Sequence, residues 1–218
     1  MDNIKKTINY VNKIFNQSDY YRERPLEKEY RVNHTFRVAG IGKTIAKKEG
    51  LDEEAMVIGC LLHDISYIEA FNSKEDWLNH GRNAAKMARE YLKDIALDDD
   101  LKQEIIYGIA IHVDDLADFE GERTVLSESI GEADNIDRFG KYRMYEGLKN
   151  SDLDKLSLHE QIDFLNERMK NLNKLKSIQH KTKTSNQMWQ SNLDDQINYY
   201  QALQKQLETS FEDALMDE

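Results

Sequence analysis

Apolar residues recur at intervals of three and four along almost the whole of this 218-residue chain. The repeat is clearest near the C-terminus, where it runs through Leu158, Ile162, Leu165, Met169, Leu172 and Leu175, and then through Trp189, Leu193, Ile197, Tyr200, Leu203, Leu207 and Phe211. This spacing is the period of an amphipathic α-helix, whereas the alternation typical of strands is hard to find. Pro25 is the one proline, so almost nothing would interrupt the helices. The sequence therefore predicts an all-α fold.

Residues typical of helix ends mark where these helices begin and end. Pro25 suits the first turn of a long helix, Gly50 is a natural stop, and Asp52 is a suitable N-cap for the helix that follows. The predicted helices cover about residues 2–15, 26–48, 80–95, 101–112 and 125–139. A further helix follows Asp52 and carries the stretch "GCLLHDI", and two long helices follow Leu156.

After about Leu156 the sequence consists of two long segments with an apolar repeat at three and four residues, which suggests a second domain. We predict a first domain over residues 1–155 and a C-terminal helical extension over residues 156–218. The extension would consist of two amphipathic helices joined by the polar stretch "QHKTKTSNQ". Three roles stay open for it: completing the core of the first domain, covering a pocket, or forming a homodimer.

Composition narrows the functional classes. The 30 basic and 41 acidic residues give a net charge of −11, which argues against nucleic acid as the main partner. Cys60 is the only cysteine, so an internal disulfide and a cysteine-rich zinc site are excluded. The N-terminus has no signal-peptide core, and no apolar run approaches the roughly 20 residues that span a bilayer. We expect a cytoplasmic protein that does not bind membranes.

The stretch "GCLLHDI" raises the main chemical question. It continues the apolar run "AMVIG" and ends with His63 beside Asp64. Burying two ionisable groups is unfavourable unless something pairs with them. A divalent metal would replace the lost hydration of both, and imidazole plus carboxylate suits Mn, Fe, Co, Ni or Zn.

Other potential ligands stand in similar settings, at the apolar edges of successive predicted helices. They are His34, His80, His112, Asp134 and Asp137. Taken singly, each has an ordinary structural explanation as a capping or solvated group. Together, four of the six histidines and two aspartates share this placement, which favours a common metal site.

At this point the chain resembles the HD superfamily of metal-dependent phosphohydrolases. The similarity covers roughly residues 26–140, where "NHTFRVA", "CLLHDI" and "EADNIDRFG" match the family's first-histidine, namesake and last-aspartate helices. The branch that the chain is most similar to contains small bacterial HD hydrolases, some of which act on nucleotides. The resemblance implies an HD-domain helical bundle.

The resemblance also implies roles for individual residues. The metal would be bound by His34, His63, Asp64 and Asp134. His80 and His112 match positions that, in some branches, hold a second metal or contact the substrate phosphate. Asp64 would be the catalytic residue that orients or deprotonates the attacking water. The metal could be Mn, Fe, Co, Ni, Mg or Zn, bound singly or as a pair.

Three further residues are candidates for supporting roles. Arg37 lies one turn after His34, so its guanidinium could reach a substrate phosphate, and Arg138 is a second candidate for the same role. Asp137 could hold a ligand histidine in place. Ordinary ion pairs are an equally good explanation for the two arginines.

The function implied is hydrolysis of a phosphomonoester or phosphoanhydride bond in a nucleotide or another small phosphorylated molecule. Two alternatives remain open. One is an HD-fold oxygenase with a di-iron site, and the other is a catalytically silent module that keeps the metal and binds a partner through its C-terminal helices.

Overall fold

The computed structural model describes residues 2–114 and 119–211, and within them the secondary structure is helical throughout, with no strand. The all-α prediction is confirmed. The ten α-helices of these residues are α1 (Asn3–Gln17), α2 (Pro25–Glu49), α3 (Glu53–Leu62), α4 (Lys74–Leu78), α5 (His80–Leu92), α6 (Asp99–Ile111), α7 (Val125–Arg138), α8 (Lys141–Lys149), α9 (Leu158–Leu175) and α10 (Lys183–Glu208).

Local chemistry accounts for most helix ends. Pro25 opens α2, and Gly50 ends it in the left-handed conformation (φ 71°), with its N–H donating to the carbonyl of Ala46. The Asp52 carboxylate accepts a hydrogen bond of 2.8 Å from the Ala55 N–H at the start of α3. These three predicted helix signals are confirmed.

The first compact unit comprises Met1–Asp137 and His180–Ser185, and α3 forms its centre. Every residue of α3 from Ala55 to Leu62 is buried. Helices α1, α2 and α6 pack against α3, while α5 packs against α6. The four residues that follow its C-terminal end, His63 to Ser66, are also buried.

The second compact unit comprises Arg138–Gln179 and Asn186–Glu218. Trp189 lies in its core, with its indole N–H donating to the Leu175 carbonyl at 3.1 Å and its ring 4.8 Å from that of Phe139. Residues 138–155, which the sequence analysis placed in the first domain, lie in this unit. The domain boundary at residue 155 and the homodimer stay predictions.

Three segments differ in detail from the predicted pattern. The stretch between Asp64 and His80, for which no helix was predicted, contains a 3-10 turn at Ile65–Ile68 and the short helix α4. Helix α8 was not predicted, and α10 begins inside the predicted polar linker. Between the predicted helices over residues 101–112 and 125–139, residues 115–118 lie outside the described part of the chain.

Candidate metal centre

His63 and Asp64 follow directly after the last residue of α3. The His63 side chain is fully buried and that of Asp64 is 4% exposed. The other buried histidines and aspartates predicted from sequence come from α2 (His34), α5 (His80), the end of α6 (His112) and α7 (Asp134 and Asp137). The fold therefore brings all seven into one region of the first unit.

All four histidines are held through Nδ1, and three of them bond to the backbone carbonyl three residues earlier. The acceptors are Cys60 for His63, Trp77 for His80 and Ile109 for His112, at 2.7, 2.5 and 2.6 Å. The fourth, His34, places Nδ1 2.8 Å from Asp137 Oδ2. A carbonyl only accepts, so in these three rings Nδ1 carries the hydrogen. Each neutral ring then presents the lone pair of Nε2.

These Nε2 atoms meet in two close pairs. Those of His34 and His63 are 3.3 Å apart, and those of His80 and His112 are 3.1 Å apart. Two lone pairs that face each other at this distance repel unless a proton or a metal ion lies between them. Each pair thus has the arrangement that a cation would stabilise.

The carboxylate of Asp64 lies between the two pairs. Its Oδ2 is 3.5 Å from His34 Nε2 and 3.4 Å from His63 Nε2. Its Oδ1 is 3.4 Å from His80 Nε2 and 3.5 Å from His112 Nε2. One oxygen of the same carboxylate therefore serves each pair.

Asp134 completes the first group. Its Oδ1 is 3.2 Å from His34 Nε2 and 3.9 Å from His63 Nε2. Ligand atoms of His34, His63 and Asp134 all lie within 4.8 Å of one another, as do those of His63, Asp64 and His112. Imidazole nitrogens and carboxylate oxygens are the donors that Zn, Mn, Fe, Co and Ni accept, so the residues present fit a divalent metal.

The electrostatics of this cluster favour positive charge. Burial opposes protonation of His34, but hydrogen bonds to Asp134, Asp137 and Asp64 outweigh it and raise the pKa of His34 to about 11. Burial likewise acts to raise the pKa of Asp134, yet its bond to His34 and the charge of His63 outweigh burial and lower that pKa to about 2. The carboxylates thus remain ionised and attract a cation.

Arg31 is a member of the site that the sequence analysis missed. Its Nη1 lies 2.5 Å from Asp64 Oδ2, and its guanidinium lies 3.5 Å from the centre of the Tyr67 ring. Burial opposes ionisation of Asp64, but the charges of His63 and Arg31 hold its pKa well below the usual range. Arg31 stands one turn before His34 in α2, but this spacing does not by itself indicate a contact with Asp64.

Asp137 lies between His34 and Arg37. Besides its contact with His34, it accepts from Arg37 Nε at 2.8 Å and from Arg37 Nη2 at 3.1 Å. Its 5% exposed side chain joins a ligand histidine to a partly exposed arginine. A role for Arg37 at the substrate phosphate stays a prediction, as does that of Arg138, which belongs to the second unit.

A close contact between α5 and α6 positions His80 and His112. A Cβ atom on Gly81 would lie 2.9 Å from the Ile109 carbonyl oxygen, so this approach requires glycine. The next residue, Arg82, donates a bidentate pair of hydrogen bonds to the Asp114 carboxylate, at 3.1 and 3.2 Å. The two histidines are thereby held beside each other by contacts immediately next to them in the chain.

Comparisons with known proteins agree with this description. A family model described as "HD domain" matches residues 31–138. A deoxyguanosinetriphosphate triphosphohydrolase-like protein of Clostridium tetani is 41% identical over 61 residues, which is 28% of this chain but only 16% of that protein.

A solved structure, described as a predicted HD superfamily hydrolase from an uncultured Thermotogales bacterium, has a TM-score of 0.63 and 18% identity. The alignment covers 93% of this chain and 91% of that one, and it shows a shared fold. No helix among the described residues is long and apolar enough to span a membrane. With the His63–Asp64 pair inside the matched segment, residues 31–138 of the chain form an HD domain.

Proposed function

We propose that this protein is a metal-dependent phosphohydrolase acting on a nucleotide or another small phosphorylated molecule. The observation that carries the proposal is the convergence of four Nε2 atoms on the two oxygens of Asp64. HD domains bind divalent metals, and this cluster contains the ligand types that such metals need.

The geometry favours two metal ions rather than one. The first would be held by His34, His63, Asp64 and Asp134, and the second by Asp64, His80 and His112. The nitrogen-rich second group favours metals that accept imidazole over Mg²⁺, which prefers oxygen ligands. We therefore propose that His80 and His112 hold a second metal, in preference to the alternative that they contact the substrate phosphate.

A divalent metal bound here would make water more acidic and polarise a phosphoryl oxygen. The protein's own residues supply the rest. Asp64, at the centre of the cluster, would orient the attacking water, since its lowered pKa and its contacts with both histidine pairs leave it a weak proton acceptor. Arg31, 20% exposed, has a guanidinium with several donors, one of which is engaged by Asp64. Its remaining donors could hold the phosphate of the substrate.

The nucleotide part of the proposal rests on the Clostridium tetani relative, whose name specifies triphosphohydrolase chemistry on a deoxynucleotide. The segment shared with that protein is short, so we extend the likeness to the substrate class and not to one nucleotide.

The test measures phosphate, pyrophosphate and triphosphate release from a nucleotide panel. Protein stripped with chelator receives Mn²⁺, Co²⁺, Ni²⁺ or Mg²⁺, and Asp64→Asn runs beside a control, Asp19→Asn, which changes an 84% exposed carboxylate. We expect metal-dependent release that Asp64→Asn lowers by about 100-fold or more, while the control keeps it.

Other outcomes would point elsewhere. Tight metal binding without release from any nucleotide would reject the nucleotide substrate. A coloured, iron-loaded protein without phosphatase activity would favour the oxygenase alternative, and partner binding that is lost on truncation after Leu156 would favour the interaction module.

A further inference from the structure

The second unit contains a cavity of about 290 Å³ whose charged lining residues are all arginines. They are Arg138 at the end of α7, Arg143 in α8 and Arg168 in α9. No aspartate or glutamate of the described residues lines it. In a chain with 41 acidic and 30 basic residues, this local charge runs against the overall balance.

The remainder of the cavity wall combines polar donors with apolar surface. Gln196 is 6% exposed and is held in place by its Nε2, which donates to the Phe139 carbonyl at 2.6 Å. Tyr200 is 4% exposed, and Asn171 adds an amide. The apolar lining residues are Phe139, Met144, Leu172 and Leu175. The cavity is therefore basic and partly apolar: Leu172, Gln196 and Tyr200 are buried, whereas Arg138, Arg168 and Asn171 are exposed at its mouth.

Electrostatics make this cavity a better place for an anion than for water alone. Burial lowers the pKa of the Arg143 guanidinium, and the neighbouring Glu146 acts in the opposite direction. Three like charges that face one partly enclosed space repel one another, and a bound anion would reverse the sign of that interaction.

Arg168 marks the limit of the basic surface. Its guanidinium lies 5.1 Å from the centre of the Phe164 ring. Arg168 and Asn171 also border a separate, more open depression whose acidic residues are Glu160, Asp163 and Glu167. An anion would be favoured in the cavity with three arginines and repelled from the neighbouring depression.

We propose that this cavity binds a small molecule carrying a phosphate group, up to the size of a mononucleotide. Guanidinium groups offer paired donors that match phosphate oxygens. Three guanidinium groups suit a phosphate dianion better than a ligand with one singly charged carboxylate. A volume of about 290 Å³ is at the lower end for small-molecule sites, which limits the ligand to about one nucleotide.

The organic part of such a ligand would lie on the apolar wall, with Phe139 and Tyr200 available to an aromatic ring. None of the lining residues belongs to the metal centre, so the site does not depend on the proposed hydrolysis. Arg138, a candidate for the substrate phosphate at the metal centre, would instead bind the phosphate group of the ligand in this cavity.

The test is isothermal titration calorimetry on the full chain after chelator treatment and dialysis. Pyrophosphate and AMP are the two probes, titrated separately. The variants are Arg143→Gln and Arg168→Gln. The control is Lys170→Gln, which removes one positive charge from the same helix as Arg168 but lies outside the cavity.

We expect both probes to bind, and each arginine variant to weaken binding by about tenfold or more, while the control stays within about twofold. Equal affinities for the two probes would mean that the site recognises phosphate alone, and tighter AMP binding would mean that the apolar wall contributes. The proposal is wrong if neither probe binds, if the arginine variants bind as the wild type does, or if the control weakens binding equally.

Discussion

Replacing Asp137 with asparagine should weaken metal binding without removing a metal ligand. The Asp137 carboxylate contacts His34 Nδ1 at 2.8 Å and is itself held by Arg37. Its negative charge raises the pKa of His34, and it fixes which ring nitrogen faces the cluster. Asparagine keeps an acceptor at that position but loses the charge, so His34 becomes a poorer donor to a cation.

The size of the effect follows from that contact. Carboxylates that hold a ligand histidine are worth about 10- to 100-fold in metal affinity, which is about 1.4–2.7 kcal/mol. The Asp137 side chain is 5% exposed, so solvent does little to weaken its charge, and we expect a value in the upper half of that range. Asp137→Ala, which also removes the acceptor, should lose at least as much.

The assay is competition for Mn²⁺ with a chromogenic chelator at pH 7.5. A second variant, Arg37→Gln, tests the direction of the change in metal affinity. Without Arg37, the guanidinium no longer partly neutralises the Asp137 carboxylate, whose full charge then acts on His34. Metal affinity should therefore stay the same or rise. Asp195→Asn, which breaks an ion pair with Lys141 in the second unit, controls for net charge. If Asp137→Asn binds Mn²⁺ within twofold of the wild type, a role for Asp137 through His34 is refuted.

Two further predictions concern stability. Gly81→Ala places a methyl group 2.9 Å from a backbone oxygen, and urea unfolding of the metal-free protein should show a loss of about 1–3 kcal/mol. In contrast, a Cβ atom at Gly40 in α2 would meet nothing within 4 Å, so Gly40→Ala should raise the free energy of unfolding by about 0.5–1 kcal/mol. If both variants lost the same stability, the close contact at Gly81 would not be the cause. Mn²⁺ at about 100 times its Kd should stabilise the native state by about 2.7 kcal/mol relative to chelated protein, and an unchanged midpoint would argue against a site in the folded state.

The helices that sequence predicts well are those with an apolar stripe and a defined end. Helix α8 was missed because none of its residues is buried, so it carries no periodic apolar signal. The extent of α2 was predicted closely because Pro25 and Gly50 mark both ends. A buried face and residues typical of helix ends, more than helix propensity, determined which helices could be predicted from the sequence.

Within the candidate site, the sequence identified ligand types but not their grouping. Nothing in the spacing says that Asp64 offers one oxygen to His34 and His63 and the other to His80 and His112, since these distances depend on how four helices pack. Arg31 was missed for a related reason. Many arginines lie near a histidine in the chain, and only the fold brings this one to Asp64.

The question posed by His63 and Asp64 has an answer in the end of α3. Successive side chains on a continuing helix point about 100° apart, which would separate the two. Here the helix ends at Leu62, and Asp64 adopts φ −112° and ψ 17°, outside the helical region. Its Oδ2 therefore lies 3.4 Å from His63 Nε2, and both face the same buried cluster. Because α3 is buried from Ala55 to Leu62, its C-terminal end is shielded from water, and only paired charges or a cation can compensate for that desolvation. The same burial that makes the pair unfavourable alone makes it a strong site for a metal.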